Sequence, residues 1–360
     1  MGELCGECGV PKVLSKSHSW EDGCIVDRAS GKANLYLHEV SSTNALIDEV
    51  SKLIGFSVDN LVFNAAASSA EGVVRDSMRD HPLLFKLVAR PPLHRLVYAR
   101  SAKLARGVGA GKLKLIGQTG KQGQRVARVR IENPFNPYLN SSMIVGAVRA
   151  IYGLPVTYRT FEDGDGYIME ACQNLEGIPD DSYSRLAPSD LTPGKCGEAA
   201  ALPACSSCGA PREMGSSFSW DWPQGLMTER SSGDRMLFPG LYLLNSLERE
   251  FDAELGISTA EIFIRVERQL FGRKLAGTSN DDDSWDEARL RSHLALRGLG
   301  CMRGLTVEGE ETCATVENAF VAPLTAGRLI ALWEHHHGRE GAYDYSPAGN
   351  TLELSIYPAG

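Results

Sequence analysis

A chain of 360 residues is longer than one ordinary core and suits two domains of about 150–180 residues. Its 43% hydrophobic and 23% charged content excludes disorder as the default, and no run reaches the ~20 apolar residues that span a bilayer. The net charge of −8 points to no special anionic partner for the chain as a whole.

The chain opens Met1-Gly-Glu-Leu-Cys-Gly-Glu-Cys8. It lacks the basic and apolar segments of a secretion signal, and Gly6 stands where a myristoylation motif needs Ser or Thr. A cytoplasmic location without a membrane partner is expected. In a reducing compartment, nine cysteines are better read as metal ligands or redox groups than as disulfides. Cys5-x-x-Cys8-Gly9 is a zinc-knuckle pattern, in which a tight turn aims two thiolates at one ion. His18 and Cys24 follow within reach of local completion, and Trp20 is expected to pack beside the knuckle.

Leu46, Val50, Leu53 and Ile54 follow helical spacing and stop at Gly55, after which a second helix begins. Residues 81–131 carry twelve Lys or Arg and no Asp or Glu. Arg95, Arg100, Lys103 and Arg106 form the candidate anion-binding group of this island. Such an island can recruit phosphate, nucleic acid or an anionic ligand; the favoured reading is a solvated face paired with the acidic second half. Residues 107–112 (GVGAGK) look a little like a phosphate loop but lack its spacing, so a structural turn is expected. Ala127, Val129 and Ile131 alternate with arginines as a strand. A helix is expected over 142–152, and Asp163 and Asp165 sit in a turn before a closing strand.

Residues 171–204, with several prolines and no periodicity, read as a linker. Beyond it the chain repeats. Residues 5–20 read CGECGVPKVLSKSHSW and residues 205–220 read CSSCGAPREMGSSFSW, a constant offset of 200. The match continues through 25–31 and 227–233, then Arg106-Gly-Val-Gly109 with Arg297-Gly-Leu-Gly300, and Glu132-Asn-Pro-Phe135 with Glu317-Asn-Ala-Phe320. The expected architecture is α+β, with copies over 1–170 and 205–360. Each copy is an α/β sandwich of antiparallel sheet and packed helices, and together they form an intramolecular pseudo-dimer.

In the second copy Ser258-x-x-Glu261 has the form of a capping box, and residues 278–283 (TSNDDD) form an extra loop. His335 to His337 end a helix, where neighbours point apart and do not chelate one ion. Phe218 replaces His18, and no cysteine stands near Gly225, so local metal completion fails there. One structural zinc shared by Cys5, Cys8, Cys205 and Cys208 uses what both copies keep; an iron–sulfur cluster is the alternative for the same thiolates. Cys172, Cys196, Cys301 and Cys313 have no evident mates.

Residues 46–61, 106–115, 129–135 (VRIENPF), 146–153 (GAVRAIYG) and 167–170 give the first copy a resemblance to the 4-vinyl reductase domain family. Weaker counterparts lie at 247–266, 297–305, 316–320 and 327–333. The resemblance implies a dimerising sandwich around an apolar pocket for a hydrophobic or aromatic ligand, with Phe135, Tyr152, Tyr158, Phe320 and Trp333 as candidate lining. It implies either effector sensing or a place beside tetrapyrrole synthesis, but not the N-terminal knuckles. The expected function is a zinc-stabilised small-molecule-binding protein of sensor or carrier type. A metal-dependent enzyme or accessory factor of tetrapyrrole or aromatic metabolism, and a nucleic-acid-associated protein using 81–131, are the alternatives.

Overall fold

The computed structural model describes residues 2–80, 94–121, 124–152, 156–173, 190–197, 200–255, 258–277 and 285–360. Residues 278–283 and much of the expected linker lie outside these. Among the described residues the chain is mixed α+β, with ten helices and four antiparallel sheets. None of the described helices is long and apolar enough to cross a membrane.

The first knuckle leads into a unit that hydrophobic periodicity did not announce: α1 (Lys12–Ser17), then short strands β1 (His18–Glu21), β2 (Cys24–Asp27), β3 (Ala33–Leu35) and β4 (His38–Glu39). Strands of two to four residues are too brief to show an alternating pattern. Next come α2 (Val40–Ile54), which ends at Gly55 as expected, α3 (Asp59–Asp80) and α4 (His94–Gly107). Strands β5 (Lys112–Lys121) and β6 (Gln124–Glu132), helix α5 (Pro137–Tyr152), and strands β7 (Val156–Asp163) and β8 (Gly166–Gln173) complete the first half.

The second half runs α6 (Arg212–Ser217), β9 (Phe218–Asp221), β10 (Leu226–Glu229), β11 (Arg235–Leu237), α7 (Leu241–Leu255), α8 (Ala260–Ala276) and α9 (Glu287–Arg297). It closes with β12 (Cys301–Glu308), β13 (Glu311–Glu317), α10 (Ala322–His337), β14 (Gly341–Ala348) and β15 (Thr351–Pro358). Every element except β4 has a counterpart in the other half. The large sheets share one order, β5-β6-β8-β7 and β12-β13-β15-β14. The expected capping box at Ser258 does not form. Asp252, at the end of the preceding helix, instead accepts from both the amide and the hydroxyl of Thr259 at 2.8 Å.

The halves exchange contacts rather than merely abut. Helix α2 packs on α8, and α7 packs on α3. Strand β4 joins the second half's small sheet beside β11, with Glu39 opposite Met236 and His38 opposite Leu237. The turn after β1 is pressed onto the other half's Gly-x-Gly turn: a Cβ on Gly23 would lie 2.3 Å from the Gly300 backbone, and one on Gly225 would lie 2.3 Å from that of Gly111. Gly300 N–H donates to Gly23 O at 3.1 Å, and Gly111 N–H to Gly225 O at 3.0 Å. Gly111 therefore corresponds to Gly300 and Gly109 to Gly298, two residues away from the register read in the sequence. Three alternate glycines at 107, 109 and 111 made the slip invisible in one dimension.

The largest apolar core spans both halves, with Val26, Leu46 and Phe135 in one cluster with Leu247, Phe263 and Trp333. A smaller core beneath the knuckles joins Val10, Leu14 and Ile25 to Met214, Phe218 and Met236. The described part of the expected linker is itself packed. Leu191 is buried, its carbonyl accepts from the Ala33 amide at 2.9 Å, and Asn318 brackets Gly194 through both its side-chain atoms at 2.9 Å. Cys196 and Cys301, expected to be unmated, form a disulfide across 105 residues of sequence. No local spacing marks such a pair; the fold brings it together at the start of β12.

Candidate metal centre

Each knuckle closes on its own backbone. Cys5 N–H donates to Val10 O at 2.9 Å and Gly9 N–H to Cys5 O at 2.9 Å; Cys205 and Gly209 repeat this at 2.7 and 2.9 Å. Stacked face to face, the two turns bring four sulfurs together, all within 4.8 Å of one another. Cys5 Sγ lies 3.8 Å from Cys205 Sγ, and Cys8 Sγ lies 3.5 Å from Cys208 Sγ. Bonds of about 2.3 Å to a tetrahedral zinc place sulfurs about 3.8 Å apart, so the four thiols fit one ion. His18 and Cys24 stand outside this cluster. His18 bonds Ser17 Oγ at 2.8 Å, while Cys24 is buried beside Asn318 O, its thiol pushed up to about 12 by burial and then by Asp22.

The electrostatics suit a cation. The amides of Cys8 and then Glu7 aim at Cys5 Sγ and bring that thiol down to about 7. Burial pushes the Cys8 and Cys208 thiols up, because a thiolate taken out of water is disfavoured where no positive charge answers it. A second link ties the knuckles outside the sulfurs. Glu7 accepts from Ser206 Oγ at 2.7 Å and Ser207 Oγ at 2.6 Å, and Ser207 then Ser206 hold its carboxyl down to about 2. Helix α6 touches the first knuckle so closely that a Cβ on Gly215 would lie 2.0 Å from Cys8 O.

The other sequence candidates lie apart from this centre. Phe135, Phe320 and Trp333 are core residues, and Trp333 donates its indole N–H to Thr312 Oγ1 at 3.1 Å. Tyr158 stacks on Phe63 with ring centroids 4.2 Å apart. The side chains of Tyr152 and Arg95, and all of 81–93, lie outside the described residues. Arg100 is exposed, Lys103 pairs with Glu3 at 3.0 Å, and Arg106 is half-buried. Two strand members of the basic island find carboxylates in their own half: Arg128 meets Glu170 at 2.5 Å, and Arg130 meets Asp163 at 2.8 Å. Sheet pairing, rather than the acidic second half, balances these charges.

A buried polar network lies at the seam between the halves and went unnoticed in the sequence. His38 Nε2 meets Glu267 Oε2 at 2.8 Å, and its Nδ1 meets Thr43 Oγ1 at 3.0 Å. Arg328, fully buried, donates to Glu267 Oε1 at 2.7 Å and Glu39 Oε2 at 2.5 Å. Lys274 bonds Glu39 at 2.8 Å and also Glu229, which Arg297 reaches at 3.2 Å. His38, Glu39 and Glu267 are close enough to hold a metal, but Arg328 and Lys274 already neutralise both carboxylates. The available signal was Arg328 itself, a charge set within the apolar run AGRLIALW. Comparison with family models, curated proteins and solved structures found no match.

Proposed function

We propose that this chain is a zinc-clasped pseudo-dimer: one structural zinc, shared by Cys5, Cys8, Cys205 and Cys208, locks two copies of a domain that together bind a small molecule. The observation carrying this reading is the convergence of four thiols, two from each copy, at the spacing of a single tetrahedral ion. Four thiolates fill the shell of a zinc ion, leaving no position for substrate, so the metal holds structure rather than supplying chemistry. The exchanged helices and hairpins support the pseudo-dimer, since each copy completes the packing of the other. A cavity at the seam supports ligand binding, although its wall is largely polar and holds none of the five aromatic residues expected to line an apolar pocket. Elemental analysis of the purified chain tests the metal. Zinc without iron or acid-labile sulfide is expected; an iron–sulfur chromophore contradicts the assignment.

A further inference from the structure

Where the buried network reaches the surface, a cavity of about 440 Å³ opens between the start of α2, the β10–β11 loop and the end of α8. Both halves build it. Ser41 and Ser42 on its wall are the second and third residues of α2, where backbone amides have no acceptor within the helix. Glu39 at the N-cap makes no side-chain cap, and the first turn holds no acidic residue. Ser42 supplies an independent sign. It is 3% exposed, it lines the cavity, and its hydroxyl has no hydrogen-bond partner among the described residues. A hydroxyl that makes no bond within the chain and faces a cavity is open to donate to a bound ligand.

The two carboxylates on the wall have cationic partners. Glu39 is committed to Arg328 and Lys274, and Asp234 lies 3.4 Å from Lys274. Arg273, exposed at the rim, has no carboxylate partner among the described residues. The positive end of α2 and a free guanidinium thus remain unanswered. At the matched place in the second half, the second and third residues of α7 are Tyr242 and Leu243 instead of two serines, so only one half carries this feature.

We propose that this seam cavity binds a small oxyanion, a phosphate or carboxylate group, held by the first-turn amides of α2, the Ser42 hydroxyl and Arg273. Leu270 and Phe271 give the organic remainder of the ligand an apolar wall. The assignment rests on the small-molecule-binding reading and names its site and ligand chemistry.

Isothermal calorimetry of the zinc-loaded full chain, with inorganic phosphate and separately with succinate, tests it. At least one of the two anions is expected to bind at one equivalent, and which one binds identifies the group. Ser42→Ala should weaken that binding about tenfold while leaving or raising the melting temperature, the signature of an unpaired hydroxyl kept for a ligand. Arg273→Ala, an exposed change that leaves the core intact, should weaken it similarly and stands in if Ser42→Ala misfolds. Binding of neither anion, or binding that both variants leave undiminished, overturns the site. Zinc content measured on the same samples reports the clasp separately, so failure of the site and failure of the clasp are told apart.

Discussion

The indole N–H of Trp20 donates to the carbonyl of Leu296 at 3.1 Å, and Trp220 does the same to Gly107 at 2.9 Å. Each tryptophan leaves its own knuckle hairpin to grip the helix end that precedes the other half's Gly-x-Gly turn. Trp20→Phe and Trp220→Phe each keep most of the ring and lose the donor. Each should cost about 1 kcal/mol in urea unfolding. A large loss from one and none from the other would contradict the reciprocal exchange.

Gly215 tests how tightly the second half holds the first knuckle. Alanine in mid-helix normally gains up to about 1 kcal/mol over glycine. Here the added Cβ meets Cys8 O, a backbone atom that cannot swing aside. Gly215→Ala should therefore lower stability by about 2 kcal/mol or more and speed metal loss to a chelator. A stabilised variant with unchanged metal retention would contradict the packing.

The buried network predicts both a cost and a pH dependence. Burial alone would raise the Glu39 and Glu267 carboxyls; Arg328 overcomes it, aided by Lys274 at Glu39 and His38 at Glu267, and holds both below the usual range. Since the folded pKa values lie below the unfolded ones, this stabilisation is in place above about pH 4.3 and is lost as pH falls through the folded values. Arg328→Met should cost about 3–5 kcal/mol at pH 7 by stranding two buried carboxylates. Urea melts at descending pH should show that gap begin to narrow above about pH 4.3, where the stranded carboxyls of the variant take up protons, and narrow further as pH falls through the lowered values of the native pair. A pH-independent gap would contradict the pairing.

Much of the scaffold was legible because its signals are local. Leu46, Val50 and Gly55 show α2, and Val129 and Ile131 show β6, by periods of 3.6 and 2. The matched Cys-x-x-Cys pairs pointed to the shared site because Phe218 stands where His18 stands in the first copy, leaving the second knuckle without local ligands. What was not legible depends on contacts remote in sequence. The hairpins are too short for periodicity, and the exchange between halves pairs Trp20 with Leu296 across most of the chain. The network needs His38 and Glu39 to meet Glu267 and Arg328, which only the folded chain brings together.

The Cys196–Cys301 disulfide closes 105 residues and pins the packed segment beside Asp22. Cys196→Ser should lower stability by about 2–4 kcal/mol, chiefly by freeing the unfolded chain. Zinc content should not change, because neither sulfur belongs to the four-thiol cluster. Loss of zinc in this variant would show the two sulfur sites to be coupled.

Zinc per chain in the native protein and in Cys5→Ser and Cys205→Ser tests the shared clasp most directly. The native chain should hold one zinc, and either substitution alone should remove most of it, although the two cysteines lie 200 residues apart. Two zinc ions per chain, or one retained at full occupancy when Cys205 is changed, would contradict a single site built from both copies.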